Sequence, residues 1–179
     1  MNEVGAHEDM LPTLLAAAGD ATAKADLLKG RKIGDMTYKV HLDGYDLAPD
    51  FKGESAWPRK EFIFWTDDGN LAALRYGNWK ITFLEQDAEG LSVWQQLFVV
   101  LRAPAITNLR IDPLERAEHE HAMGYQRWYL EHMFVIAPAG AYVANWLQSF
   151  GEFPPRQKPG SFNLENVMDA VSKPLTGGN

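Results

Sequence analysis

A histidine and two aspartates lie close together in the segment KVHLDGYDL, and side chains of these types can bind a polar ligand. His41 and Asp43 are two residues apart, so an extended backbone places their side chains on the same side. Such a pair can orient a sugar or a sulfate ester, although two or three side chains from one loop do not complete a metal site. Gly44 allows a sharp turn, and a turn in which Asp43 and Asp46 bond local backbone is the simpler interpretation.

Other acidic residues form pairs or clusters that local structure explains better than catalysis does. Asp67 and Asp68 stand directly before Gly69, where aspartate is ordinary turn chemistry rather than a pair of acid–base catalysts. The residues of His7–Asp9 are consecutive, so they do not share one helix face and cannot converge easily on one ion. We predict that His7–Asp9 supplies charges at the start of a helix.

Histidines and basic residues elsewhere give no complete site. On a helix, His121 and His132 would share a face but lie about 16 Å apart, too far for a common ion. His119 does not complete a helical HExxH motif. Arg75 and Lys80 flank a turn and can face an anionic ligand, but they are equally typical of solvated strand ends. We therefore predict no metal ligand and no catalytic residue.

The composition excludes several classes of chemistry and of partner. The chain has no cysteine, which rules out disulfides, thiolate catalysis and zinc held by cysteine. A Gly-rich phosphate loop and a G-x-S-x-G motif are also missing from the sequence. The net charge of −7 argues against nucleic acid or an anionic membrane as the main partner. No apolar run approaches the roughly 18 residues of a membrane span, and neither this nor the polar start identifies a compartment.

Two short helices are predicted at the start of the chain, over residues 7–19 and 23–30. A glycine suits the left-handed residue that ends the first helix, and Thr22 suits the cap of the second. An irregular linker is predicted over residues 31–60, where Gly and Pro recur, with a short strand at Tyr38–Leu42 inside it.

Alternating apolar residues predict a small antiparallel sheet of about four strands between residues 61 and 111. Tight turns that contain glycine join the first three strands. The predicted strands are 61–67, 71–76, 79–86, 93–102 and 105–111.

Helices are predicted after the sheet as well. Asp112–Glu115 has the cap, the first-turn proline and the acidic third residue of a helix start. A helix over residues 125–136 is followed by a second one that Pro138 opens or kinks. Residues 153–160 are predicted to be extended, and a short last helix follows over residues 164–171. The second helix carries an apolar stripe: Tyr142, Val143, Trp146, Leu147 and Phe150.

These elements predict an α+β fold in which helices from both ends of the chain cover the sheet, because an isolated hairpin set is only marginally stable. The predicted divisions are a helical segment over 1–30, a linker over 31–60, the sheet with its covering helices over 61–172, and a tail over 173–179. We place His41 and Asp43 at the rim of a substrate site.

Several segments, in order along the chain, resemble the C-terminal part of bacterial arylsulfatases. The family patterns are h-x-D-h-h-P-T-L-L, a DG segment, an aromatic strand that leads into R-x-G-x-W-K, then N-L-x-x-D-P-x-E and a Pro-rich tail. The corresponding segments here are His7–Leu15, Tyr38–Tyr45, Glu61–Gln86 with Arg75–Lys80, Asn108–Glu115 and Phe153–Pro159.

The resemblance implies a piece of an enzyme that does not itself carry the chemistry. Sulfatases resemble alkaline phosphatases in their main domain, which holds a formylglycine made from a C/S-x-P-S/A-R motif and a calcium ion bound by Asp and Asn. Nothing in this sequence matches those motifs. The calcium and the formylglycine would therefore belong to a catalytic domain outside this chain, which is expected to be inactive alone.

The resemblance also implies the fold and the partners. The family's C-terminal part is a four-stranded antiparallel sheet packed by a long helix. The expected partner is a sulfatase catalytic domain or a second copy of this chain. A stand-alone binding or oligomerisation module derived from a sulfatase is the alternative, and a small metal-dependent hydrolase that uses His41 and Asp43 is a third interpretation.

Overall fold

The computed structural model describes residues 3–118, 123–156 and 160. Helices α1 (Met10–Ala17) and α2 (Ala23–Lys29) open the fold, and a 3₁₀ turn precedes α1. Gly19 has a φ of 96°, which confirms the left-handed stop predicted after α1. Thr22 occupies the N-cap position of α2 as predicted, but its hydroxyl donates to the carboxylate of Asp26 at 2.9 Å and accepts no backbone N–H.

The segment between residues 31 and 60 is more regular than predicted. A two-stranded hairpin consists of β1 (Arg31–Ile33) and β2 (Met36–Tyr38), and one short helix follows as α3 (Ala48–Phe51). The strand predicted at Tyr38–Leu42 is wrong, since the ladder ends at Tyr38. Beyond it, the amide of Val40 donates to the carbonyl of Leu27 at the end of α2, at 2.9 Å, so the chain follows α2 rather than a strand.

The main sheet has four antiparallel strands in sequence order, which confirms the α+β class. Tight turns join the first three strands as predicted, and Gly69 and Gly77 adopt the positive φ values that such turns need. The strands are β3 (Glu61–Trp65), β4 (Leu71–Tyr76), β5 (Trp79–Glu85) and β6 (Val99–Asn108).

The two last predicted strands form the single strand β6, preceded by a 3₁₀ turn over Gly90–Trp94. A bulge makes this possible. Between the pairs Thr82↔Ala105 and Leu84↔Val100, β6 advances further than β5, so extra residues around Pro104 leave the ladder without ending the strand.

One row of side chains in register across all four strands forms the centre of the core. Its members are buried on the face that the last helix covers: Ile63, Leu74, Ile81 and Ile106. The helices α4 (Tyr125–His132) and α5 (Ile136–Leu147) follow the sheet. The predicted stripe of α5 packs on this core through Tyr142, Val143 and Trp146, and Pro138 lies in the first turn of α5, where it is tolerated.

The helix predicted to begin at Asp112 is wrong. The carboxylate of Asp112 accepts the amide of Ala117 at 2.8 Å, which closes a turn rather than capping a helix. Glu115 has a φ of 55°, which no helix permits, and its carboxylate binds the ammonium of Lys80 at 2.6 Å. The helix predicted over 164–171 and the tail lie outside the described residues.

Candidate functional site

A cleft of about 550 Å³ lies where the start of α1, the loop before α3, strand β3 and the end of α5 meet. One end of the cleft is polar and is lined by Glu8, Lys24, His41, Asp43, Tyr45 and Arg59. The other end is apolar and is lined by Ile63, Trp65, Tyr142, Trp146 and Phe150. The cleft can therefore accept a molecule that carries both an apolar ring and polar groups.

His41 and Asp43 lie together in this cleft, on the same side of the chain as the sequence predicts. The Nδ1 atom of His41 is 3.1 Å from Oδ1 of Asp43, and each side chain is about one-third exposed. The turn interpretation applies to Asp46 instead, whose carboxylate accepts the amide of Ala48 at 2.9 Å. The substrate-rim role of the pair stays a prediction, since no ligand is present to test it.

A buried ion pair that the sequence analysis missed stands behind the polar end of the cleft. Asp9 is fully buried and Arg59 is 3% exposed. The guanidinium of Arg59 donates to both carboxylate oxygens of Asp9, at 2.7 Å from Nε and 2.5 Å from Nη2. The amides of Ala6 and Tyr45 donate to the same carboxylate at 2.9 and 2.8 Å. The two buried carboxylate oxygens of Asp9 thus accept two hydrogen bonds each, which satisfies their capacity as acceptors.

The prediction that His7–Asp9 supplies charges at the start of a helix is confirmed for Glu8 and Asp9, which lie in the first helical turn, but both carboxylates have a further role that the sequence analysis missed. Asp9 holds Arg59, and the carboxylate of Glu8 reaches the same guanidinium at 2.7 Å. The two partners of the ion pair are 50 residues apart, so no local spacing could have indicated it. The result is a charged cluster that ties α1 to the strand following Arg59.

The loop that carries His41 and Asp43 crosses the start of α1 at very close range. A Cβ on Gly44 would lie 1.9 Å from the carbonyl oxygen of Glu8, so no other residue fits without backbone movement. Lys24 of α2 donates to the carbonyl of Gly44 at 2.7 Å from the other side. The sequence analysis assigned Gly44 to a sharp turn, whereas the structure requires glycine there for the crossing.

Thr13 completes the attachment of the loop to α1. Its hydroxyl accepts the amide of Leu47 at 3.0 Å and donates to the carbonyl of Tyr45 at 3.3 Å. Together with the bond from the Tyr45 amide to Asp9, these contacts fix the loop at Tyr45 and Leu47, on either side of Asp46.

The polar end of the cleft is partly buried, and this burial shifts the pKa values of its groups. Burial raises the pKa of Glu8, with the nearby Asp43 and Asp9 adding to the effect and Arg59 opposing it. Burial lowers the pKa of Lys24, and the attraction of Asp43 only partly offsets this. Burial, together with the hydrogen bond that it donates to Glu61 at 2.6 Å, raises the pKa of Tyr45 to about 12.

The pKa of Asp9 moves in the opposite direction. Burial alone would raise it, but the hydrogen bonds from Arg59 and from the amides of Tyr45 and Ala6 outweigh burial, and the pKa lies below 3.8. Asp9 is therefore ionised in the folded protein wherever an ordinary carboxyl group is, and its role is structural rather than that of a proton donor.

Aromatic rings form the apolar wall of the cleft. The ring of Trp65 stacks on Phe150 at a centroid distance of 5.8 Å and meets Trp146 at 5.7 Å. Trp65 is 38% exposed, so part of its face is open to a ligand. The sequence placed Trp146 and Phe150 on an apolar stripe, but stripe periodicity alone does not separate core residues from cleft residues.

The remaining candidates do not converge on the cleft. Lys80 is paired with Glu115, and the Nε atom of Arg75 donates to the carbonyl of Gly77 at 3.2 Å, so neither cation is aimed at a ligand. Asp67 belongs to the turn before β4, as predicted. His119 and His121 lie outside the described residues. Within the described ranges, no group of three or more His, Asp or Glu is placed to hold a metal ion.

No protein-family model matches the chain, and no curated protein matches it either. Among the helices of the described part, none is long and apolar enough to cross a membrane.

Replacing Gly44 by alanine should destabilise the protein by about 1 to 3 kcal/mol, the usual cost of forcing extra atoms into a tight contact. The measurement is urea unfolding followed by tryptophan fluorescence. Gly140→Ala in α5 is the matched control: a Cβ there meets nothing within 4 Å, and alanine favours a helix. Equal destabilisation by both substitutions would contradict the close crossing.

Stability should depend on pH with two opposite contributions from the polar cluster. The folded state lowers the pKa of Asp9, so its stabilisation is complete above 3.8 and is lost as pH falls through the lower folded-state value. The folded state raises the pKa of Glu8, so acidification just above 4.5 adds stability.

The measurement is the free energy of unfolding between pH 7 and pH 2, for the wild type and two variants. Asp9→Asn should remove most of the loss below 3.8, and Glu8→Gln should remove the gain above 4.5. The surface variant Glu131→Gln is the control and should retain both features. The attribution of these effects to Asp9 and Glu8 would be contradicted if the free energy of unfolding of all three variants depended on pH below 7 as that of the wild type does.

Proposed function

We propose that this chain is the non-catalytic C-terminal subdomain of an arylsulfatase and that it has no sulfatase activity on its own. The support is the ordered series of segments that resemble this part of the family, and the four-stranded antiparallel sheet packed by α5 agrees with it. The formylglycine and the calcium would be supplied by the separate catalytic domain.

The proposal rests on a difference between the two sides of α1. The inner side is fastened to the rest of the protein through Asp9 and Thr13. The outer side carries Met10, Leu11 and Leu14, which are 52%, 51% and 60% exposed. These residues recur at i, i+1 and i+4 and so form one stripe, which we name the outer stripe.

A helix that is hydrogen-bonded to its own chain on one side and carries exposed apolar residues on the other can connect two domains. Exposed apolar stripes of this kind mark interaction surfaces. The matching helix of arylsulfatases follows the catalytic core, so the natural partner for the outer stripe is that domain. In this role the chain positions and supports the catalytic domain, and His41 and Asp43 face the cleft as part of a substrate rim.

Leu14→Asp should weaken docking, because it places a charge in the outer stripe. The measurement is calorimetric titration of the chain into an arylsulfatase catalytic domain from which the C-terminal part has been removed. We expect the dissociation constant to rise at least about tenfold, as for a central interface residue. Leu130→Asp on α4, which is 66% exposed in the wild type, is the control and should bind normally.

The same experiment includes an activity measurement. The chain alone should not hydrolyse 4-nitrophenyl sulfate with or without calcium, and the reconstituted pair should. Calcium-dependent turnover by the chain alone would overturn the proposal, as would equal binding by both variants.

The alternative is a stand-alone binding module, and the partly exposed ring of Trp65 in the same cleft as the His41–Asp43 pair favours it. An aromatic ring next to donors and acceptors can bind a sugar or an aryl sulfate ester. Saturable quenching of tryptophan fluorescence by a methyl pyranoside or by 4-nitrophenyl sulfate, lost in Trp65→Ala and retained in Trp94→Ala, would support this module. Identical titrations of both variants would exclude the cleft.

A further inference from the structure

A large apolar surface lies far along the chain from the outer stripe, between the 3₁₀ turn at Gly90–Trp94 and the first residues of β6. Leu91, Trp94, Leu97 and Val100 are between 74% and 85% exposed. Val93, Phe98 and Val99 lie among them and are between 38% and 44% exposed. We name these side chains the apolar patch.

Hydrogen bonds hold the backbone that carries the apolar patch in place. The side-chain amide of Gln86, just after β5, donates to the carbonyl of Gln96 at 3.1 Å and to that of Val93 at 3.5 Å. Two backbone amides, those of Gln95 and Gln96, close the turn on the carbonyl of Ser92. The apolar side chains are thus presented on a formed surface, which lowers the entropic cost of binding.

The apolar patch contains both a groove and projections. A groove of about 630 Å³ is lined on one side by patch residues and Gln96. The rest of its lining consists of Leu71 and Leu84 of the sheet, Gly160, and the polar residues Asp67, Asp68 and Asn70. Trp94 and Leu97 line the same groove, yet 80% and 79% of their surfaces are accessible, so they also project from its edge. A surface with a projection beside a groove can be complementary to its own copy across a two-fold axis.

Charge also favours a second copy as the occupant. The chain carries a net charge of −7, which opposes self-association through most of its surface. The run Leu91–Leu101 contains no charged residue, so two copies can meet there without burying like charges at the centre. Asp67 and Asp68 line the groove, and salt reduces the repulsion between their carboxylates and those of a second copy.

The size of the apolar patch matches a stable interface. Its exposed side chains amount to on the order of 800 Å², which is what each partner buries in an interface of standard size. We propose that two copies of this chain associate through the apolar patch, with Trp94 of each copy in the groove of the other. The apolar patch shares no residue with the outer stripe, so substitutions can test the two surfaces independently.

The dimer is tested by sedimentation equilibrium of the full chain across a wide range of concentrations. We expect a monomer–dimer equilibrium that tightens as ionic strength rises. Leu97→Glu should raise the dimer dissociation constant at least about tenfold, as for a central interface residue. Leu14→Asp, on the outer stripe, should leave the dimer intact, which separates failure of this proposal from failure of docking.

Cross-linking gives an independent result because the chain has no cysteine. Single cysteines introduced as Trp94→Cys or Leu97→Cys should form disulfide-linked dimers on mild oxidation at low concentration. The control Leu130→Cys, at an equally exposed leucine on α4, should not. A chain that stays monomeric at every concentration would overturn the proposal. The occupant of the apolar patch would then be the chain's own C-terminal residues or a different protein. A dimer broken by Leu14→Asp and not by Leu97→Glu would overturn it as well.

Discussion

The buried pair of Asp9 and Arg59 connects the first helix to the sheet, and the geometry of the cleft depends on it. Removing both charges from water costs several kcal/mol per ion, which only good geometry and additional hydrogen bonds can offset. Here the guanidinium binds both carboxylate oxygens, and two backbone amides complete the carboxylate. Because one of those amides belongs to Tyr45, the ion pair also fixes the loop that carries His41 and Asp43.

The Asp9–Arg59 pair is buried in the interior, whereas two groups of apolar side chains are exposed on the surface. On the inside, Gly44 lets the loop lie against the carbonyl of Glu8, and the helix cannot shift without breaking that contact. On the outside, α1 presents its outer stripe, and the residues after β5 present the apolar patch. The proposed supporting role beside a catalytic domain requires such exposed apolar surfaces on a firmly hydrogen-bonded interior.

Features set by neighbouring residues were predictable from the sequence. The glycine turns fixed the first three strands of the sheet, and the periodicity of Tyr142, Val143 and Trp146 fixed the inner face of α5. Features set by distant partners were not. Glu115 leaves the helical region to reach Lys80, a bulge merges two predicted strands into β6, and Asp9 meets Arg59 from 50 residues away. The proximity of His41 and Asp43 was predictable because their spacing in one loop is local, whereas the aromatic wall of the same cleft required the packing of α5 on β3.

The most direct test of this account is a double-mutant cycle on the free energy of unfolding with Asp9→Leu, Arg59→Met and the double variant. Each single substitution should cost about 3 to 5 kcal/mol, because it removes one partner of a buried ion pair. The double variant should cost less than the sum by about 1 to 3 kcal/mol, the range for groups in one network. Arg127→Met, which removes an exposed i,i+4 pair, should cost less than about 0.5 kcal/mol. Additive losses, or single losses no larger than that of Arg127→Met, would contradict the central role of the pair.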